Sequence, residues 1–183
     1  MNISLLQAEL EKVHSKLKET ALSYGPNLTW YQPDGKWSPA QNLKHVELSI
    51  LPVSKLLSDK QKFFSRDLGT THGGSRSLTE IMKIYKETLS GGNIKSPDRF
   101  VPVHLESEIS ILIKELDERV HQLISGFNNF SEEEIDFYQI PHPLIGQLTI
   151  REMIYFYVYH AGHHENNIIK NMNAVNTPLT LPH

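Results

Sequence analysis

Thr149-Ile150-Arg151-Glu152-Met153-Ile154-Tyr155-Phe156-Tyr157-Val158-Tyr159-His160-Ala161-Gly162-His163-His164-Glu165 opens a segment that reads as one long helix ending near Met172. Thr149 is its cap candidate, with Glu152 at the third helical position. At about 100° per residue, His160 and His164 stand about 40° apart, one turn above the other on a single face. Thr149, Met153, Phe156, Tyr157, Asn167 and Asn171 share that face, and its apolar members turn it toward a core. His163 falls about 100° further round, toward a flank or solvent, and Glu165 points away from the pair.

A helix with one apolar stripe needs partners that carry stripes of their own. From Ile3 to about Tyr24, Leu6, Leu10, Val13, Leu17 and Ala21 recur at spacings of three and four, and Gly25-Pro26 stops the run. Pro33-Asp34-Gly35 marks a turn in the loop that carries Trp30 and Tyr31. Ser38-Pro39 reads as an N-cap with proline at the first helical position, starting a second helix that reaches about Phe64. Pro52 inside it predicts a kink. After a turn-rich loop (Leu68 to Gly74), a shorter helix spans Ser77 to Leu89 behind a Ser77-x-x-Glu80 capping box.

A third long helix covers about Leu105 to Ile124, with Ile109, Leu112, Ile113, Leu116, Val120 and Leu123 as its stripe. A polar, acidic connection (Asn128 to Asp136) and Pro141-His142-Pro143 lead to the fourth, and Thr177 to Pro182 form an extended tail. No stretch alternates like a strand. The expectation is an all-α, up-and-down four-helix bundle with long connections, one domain over residues 1–183.

Composition excludes several functions. The formal charge, 18 − 21 = −3, and the mixing of lysines with glutamates give no basic face for nucleic acid. Cysteine is absent, which excludes disulfides, thiolate zinc sites and a cysteine nucleophile. The start lacks a signal-peptide layout, and Met153 to Ala161 is far shorter than the ~20 residues of a membrane span. A soluble, cytoplasmic chain follows as the expectation.

Ten histidines stand against that lack of cysteine. Two imidazoles four residues apart on one helix face can reach a single ion at ~2.0–2.1 Å. Ala161 sits where a metalloprotease helix needs its glutamate base, so that pattern is absent. His45, flanked on its own face by Gln41, Asn42, Leu48, Ser49 and Pro52, is the best third ligand, because polar residues on a buried wall suggest a cavity. Taken alone, each of these histidines equally fits a hydrogen-bonded core position. His14, His72, His104, His121, His142, His163 and His183 have no spacing that sets them apart. The acidic run Glu132-Glu133-Glu134 reads as a solvated helix start.

Trp37-Ser38-Pro39 leading into a helix with His45, and His142-Pro143-Leu144-Ile145-Gly146-Gln147-Leu148-Thr149 leading into His160-x-x-x-His164, resemble the second and fourth helices of the DinB/YfiT-like superfamily. The resemblance runs from the first helix through Ile169. It implies a four-helix bundle, a homodimer, and a divalent metal ion, zinc or nickel, held by His45, His160 and His164. It also implies a small-molecule substrate, since members include metal-dependent hydrolases and S-transferases that use a low-molecular-weight thiol such as bacillithiol. The expected function is one of these two activities, with Tyr157 or Asn167 orienting the bound group. The alternative is a non-catalytic, stress-related bundle that binds a metal or small ligand.

Overall fold

The computed structural model describes residues 1–92, 95–103 and 108–176. Four long helices, α1 (Ile3–Leu22), α3 (Pro39–Leu57), α6 (Ile109–Phe127) and α8 (Ile150–Asn176), are joined by shorter ones. These are α2 (Gly25–Thr29), α4 (Lys60–Phe64), α5 (Leu78–Ser90) and α7 (Glu132–Phe137). A hairpin of β1 (Gln139–His142) and β2 (Gly146–Thr149) precedes α8.

Helix starts are fixed by side chains that take up free backbone N–H groups. Ser38 and Gln41 form a reciprocal capping box at α3, with Pro39 at the first helical position. Ser77 with Glu80 and Ser131 with Glu134 do the same for α5 and α7. At α8, Thr149 Oγ1 accepts from the Glu152 amide at 3.1 Å while the Glu152 carboxylate accepts from the Thr149 amide at 2.9 Å.

The stripes meet as the periodicity predicts. Leu6, Leu10, Leu17 and Ala21 of α1 are buried with Leu43, Ile50 and Leu57 of α3 and with Leu116, Leu123 and Phe127 of α6. Ile154, Ala161, Ile168 and Met172 of α8 complete the core, and each fully buried leucine or isoleucine contributes ~1.5–3 kcal/mol. On α1 the buried residue at the second turn of the stripe is His14; Val13 is half-buried.

Cross-contacts give the helix directions. Lys44–Glu115, Glu47–Arg119 and Ser54–Gln122 ascend together, so α3 and α6 run parallel. Asn42–His164 and Ser49–Tyr157 descend against each other, so α3 and α8 are antiparallel. Arg76–Glu152 and Tyr85–Tyr159 place α5 parallel to α8. The four long helices therefore form the expected all-α bundle but do not alternate strictly up and down. Instead α3 and α6 point the same way, and α5 carries the chain back between them, which is why residues 65–103 form so long a connection. At the lower end of that parallel pair, a Cβ on Gly126 would lie 2.9 Å from Leu57 Cβ, so only glycine permits the approach.

Several boundaries differ from expectation. The second helix does not reach Phe64 unbroken: α3 ends at Leu57, and Asp59 caps the separate α4. The helical assignment is continuous through Pro52. The acidic connection contains α7, and the segment read as strandless holds the hairpin, in register Ile140↔Leu148 and His142↔Gly146. Its three-residue loop ends at Gly146, whose φ of +77° is the left-handed conformation such turns require. The expected start of the third helix at Leu105, together with His104, His183 and the tail, lies outside the described residues. Among the described residues no helix is long and apolar enough to cross a membrane.

Candidate metal centre

His45 projects from the first half of α3, and His160 and His164 from successive turns of α8, which the antiparallel packing sets opposite it. All three are buried. His160 Nε2 lies 3.2 Å from His45 Nε2 and 3.1 Å from His164 Nε2, and the three ligand atoms fall within 4.8 Å of one another. The sequence expectation of a convergent trio is met in its geometry.

Second partners decide what those nitrogens carry. His45 Nδ1 lies 2.7 Å from the Phe100 carbonyl, which can only accept, so Nδ1 holds the proton. His164 Nδ1 lies 2.7 Å from Asn42 Oδ1. The Asn42 amide is oriented by donating to the carbonyls of Ser38 at 2.9 Å and Trp37 at 3.3 Å, so its oxygen faces the ring and Nδ1 donates. His160 Nδ1 meets Ser49 Oγ at 3.4 Å, and that hydroxyl already donates to the Val46 carbonyl at 2.8 Å. Each ring thus presents a bare Nε2 lone pair to the other two.

Three lone pairs at this range repel; they are not hydrogen bonds. Burial, followed by the neighbouring imidazoles, pushes His160 and His164 well below the usual histidine range, so a shared proton does not resolve the conflict at neutral pH. Burial also lowers His45, against the bond to Phe100. A cation does resolve it. Two nitrogens held by one tetrahedral ion at ~2.0–2.1 Å lie about 3.3 Å apart, close to the separations found here. The donor set fits a divalent metal.

A cavity of about 270 Å³ opens beside the trio, walled by residues from α3, α5, α8, the hairpin and the segment around Phe100. Met153, Phe156, Tyr157 and Asn167, placed on this face by the helical wheel, all line it. The Tyr157 hydroxyl donates to the Ser49 carbonyl at 2.9 Å, which commits its proton to α3 and leaves it poorly suited to orient a ligand. Asn167 pairs with His163 at 3.1 Å. His163 sits on the flank, half-buried, and lines the cavity instead of facing bulk water. Glu165 turns away as expected, to Lys16 at 3.1 Å and Thr20 at 3.2 Å on α1.

His142 escaped the spacing argument. It is buried on β1, its ring 4.3 Å from that of Phe156, and it lines the same cavity. Its Nδ1 accepts from the amides of Leu144 at 3.1 Å and Ile145 at 3.3 Å, fixing the proton on Nε2. Burial pushes its pKa down to about 4. The signal available in sequence was the turn itself, histidine four residues ahead of Gly146.

The chain matches the DinB superfamily over residues 3–168 and belongs to it. It is similar to the uncharacterized protein YuaE of Bacillus subtilis (strain 168), at 25% identity over 142 residues, covering 76% of this chain and 77% of that protein. No solved structure gives a significant match. Family membership and the three-histidine cluster together fit a metal-binding protein.

Proposed function

We propose that the protein is a metal-dependent enzyme acting on a small molecule, with a divalent cation, zinc or nickel by ligand type, held by His45, His160 and His164. The observation that supports it is the convergence of three bare Nε2 lone pairs at the wall of a cavity. Such a cation, when bound, acidifies a water or a thiol, the chemistry of hydrolysis or S-transfer. The chain's own residues supply orientation: Phe100, Asn42 and Ser49 fix the ring tautomers, and the apolar wall of Val53, Met153 and Phe156 limits water. A thiol nucleophile comes from outside, since the chain has none. The same reading takes the molecule to be a cytoplasmic homodimer, which sedimentation tests.

The deciding experiment is metal analysis of untagged protein. One equivalent is expected in the wild type and none in His45→Ala, whose helical circular dichroism stays intact. Turnover of thiol-plus-electrophile pairs against simple esters then separates S-transferase from hydrolase. Full metal retention in His45→Ala overturns the ligand set.

A further inference from the structure

The cavity's charge is one-sided. Of the described residues lining it, Arg99 is the one with a permanent charge, and none is Asp or Glu. Its guanidinium carbon stacks 4.7 Å from the Phe100 ring, and among the described residues no carboxylate lies within ion-pair distance of it. A cation on three neutral imidazoles keeps its full charge, so an occupied metal centre adds to the imbalance. Arg99 and the Phe100 carbonyl that holds His45 belong to one short turn, Asp98–Phe100, which ties the arginine to the histidine cluster.

Two neutral groups share this bias. Ser96 Oγ is buried and has no hydrogen-bond partner among the described residues. The His142 Nε2–H, whose tautomer is set by the Leu144 and Ile145 amides, has no acceptor among the described residues. Val53, Leu89, Leu144, Met153 and Phe156 give the cavity an apolar side, while Ser49, Asn167 and His163 add neutral polar groups to its wall.

We propose that this cavity binds a small, largely apolar molecule bearing a carboxylate, received by Arg99 with Ser96 and His142 as neutral donors. This deepens the metal-enzyme reading and rests on it for the identity of the cavity as the substrate site. A guanidinium fork matches a planar carboxylate, and a single arginine balances a single negative charge. A buried hydroxyl and an imidazole N–H without acceptors are costly in an empty site and are satisfied by carboxylate oxygens.

The test is calorimetric titration of untagged protein with phenylacetate and with its neutral isostere phenylacetamide. Metal content is measured on the same samples. Wild type is expected to prefer the carboxylate at least tenfold, with or without chelation of the metal. Arg99→Gln, an exposed position, is expected to reduce the preference below twofold while leaving phenylacetamide unchanged. Ser96→Ala and His142→Asn are expected to weaken phenylacetate several-fold; the asparagine oxygen still accepts from the turn amides, so the hairpin survives.

Equal binding of the two probes, failure of both to bind at millimolar concentration, or a preference untouched by Arg99→Gln overturns the proposal. So does a preference that vanishes on chelation, which would place the anion on the metal instead. A protein that holds no metal yet keeps the preference defeats the metal reading alone. One that holds metal and shows no preference defeats this inference alone.

Discussion

Helix α8 carries two buried polar clusters two turns apart, and they are built on opposite rules. At its base, Arg151 donates to Asp136 at 2.5 and 2.9 Å, to Glu132 at 2.6 Å and to the Met1 carbonyl at 2.5 Å. Beside it, Glu152 accepts from the Arg76 backbone at 2.6 Å and side chain at 2.8 and 2.7 Å, and from the Thr149 amide. Donors and acceptors there are matched, and the result ties α8 to α5, α7 and the chain start. At residues 160–164 the polar atoms are also buried, yet like faces like. A matched cluster needs nothing further. The mismatched one is held by the packing around it and by the outer bonds of its rings to Phe100, Asn42 and Ser49, and it is complete when something positive enters.

The largest effect should come from breaking the matched cluster. Arg151→Met leaves Glu132 and Asp136 without their counter-charge. Both carboxylates are over a third exposed and water can take them up, so the loss falls below that of a fully buried pair and is about 1.5–3 kcal/mol, the range for hydrogen bonds to charged groups. Urea denaturation measures it, and the folded fraction should bind metal as wild type does. A variant of unchanged stability would show that the clasp contributes nothing, and one that lost metal while folded would show that the two clusters are not independent.

Acid should separate the clusters from a third buried group. His14 bonds through Nδ1 to the Leu10 carbonyl, has no partner for Nε2 among the described residues, and is pushed by burial down to about 4. Its folded pKa lies below the unfolded value of 6.5, so the unfolded chain binds the extra proton. Stability from this group is complete above pH 6.5 and is lost as pH falls toward 4, with a slope of about 1.4 kcal/mol per pH unit. His14→Leu should lower the total slope by about that amount across this window. The carboxylates of the clasp respond later: burial raises Asp136 and Glu152, but the bonds to Arg151 and Arg76 outweigh it and hold both below the usual range. Their contribution is lost only as pH falls through those lowered values. An unaltered slope in His14→Leu between pH 4 and 6.5 would mean that His14 titrates alike in both states.

Periodicity carried most of this fold, because each long helix buries one stripe and a stripe is written at fixed spacing. The trio was readable for the same reason: His160 and His164 share a face, and His45 sits among polar residues on a wall that should be apolar. What was not readable depends on contacts that spacing does not encode. The hairpin has four-residue strands with Pro141 in one of them, too short and too irregular for an alternation to show. His142 is oriented by two backbone amides of its own turn, and Arg99 reaches the cavity from a segment without periodicity. The Glu132 run looked like a solvated helix start and is one, except that Glu132 also takes the Arg151 guanidinium from α8, nineteen residues on. The parallel course of α3 and α6 follows from α5 acting as a full return leg, which its sequence alone marks only as a shorter helix.

The smallest effect bears most directly on how the mismatch is enforced. Asn42 touches no metal-facing atom; it accepts the His164 Nδ1 proton and so keeps the Nε2 lone pair turned inward. Leucine at 42 removes the acceptor and lets the ring take its other tautomer, with a proton on the inner nitrogen. Loss of such an outer partner costs 10–100-fold in metal affinity, about 1.4–2.7 kcal/mol. Asn42→Asp keeps an acceptor at the same atom but sets its second oxygen against the Ser38 and Trp37 carbonyls that the amide now donates to, so it should hold metal more tightly than Asn42→Leu and less tightly than wild type. Competition with a chromophoric chelator reads both variants, and thermal melts of the metal-free proteins control for packing. Equal affinity in Asn42→Leu and wild type would mean that the packing of α3 against α8, and not the hydrogen bond, holds the lone pair in place.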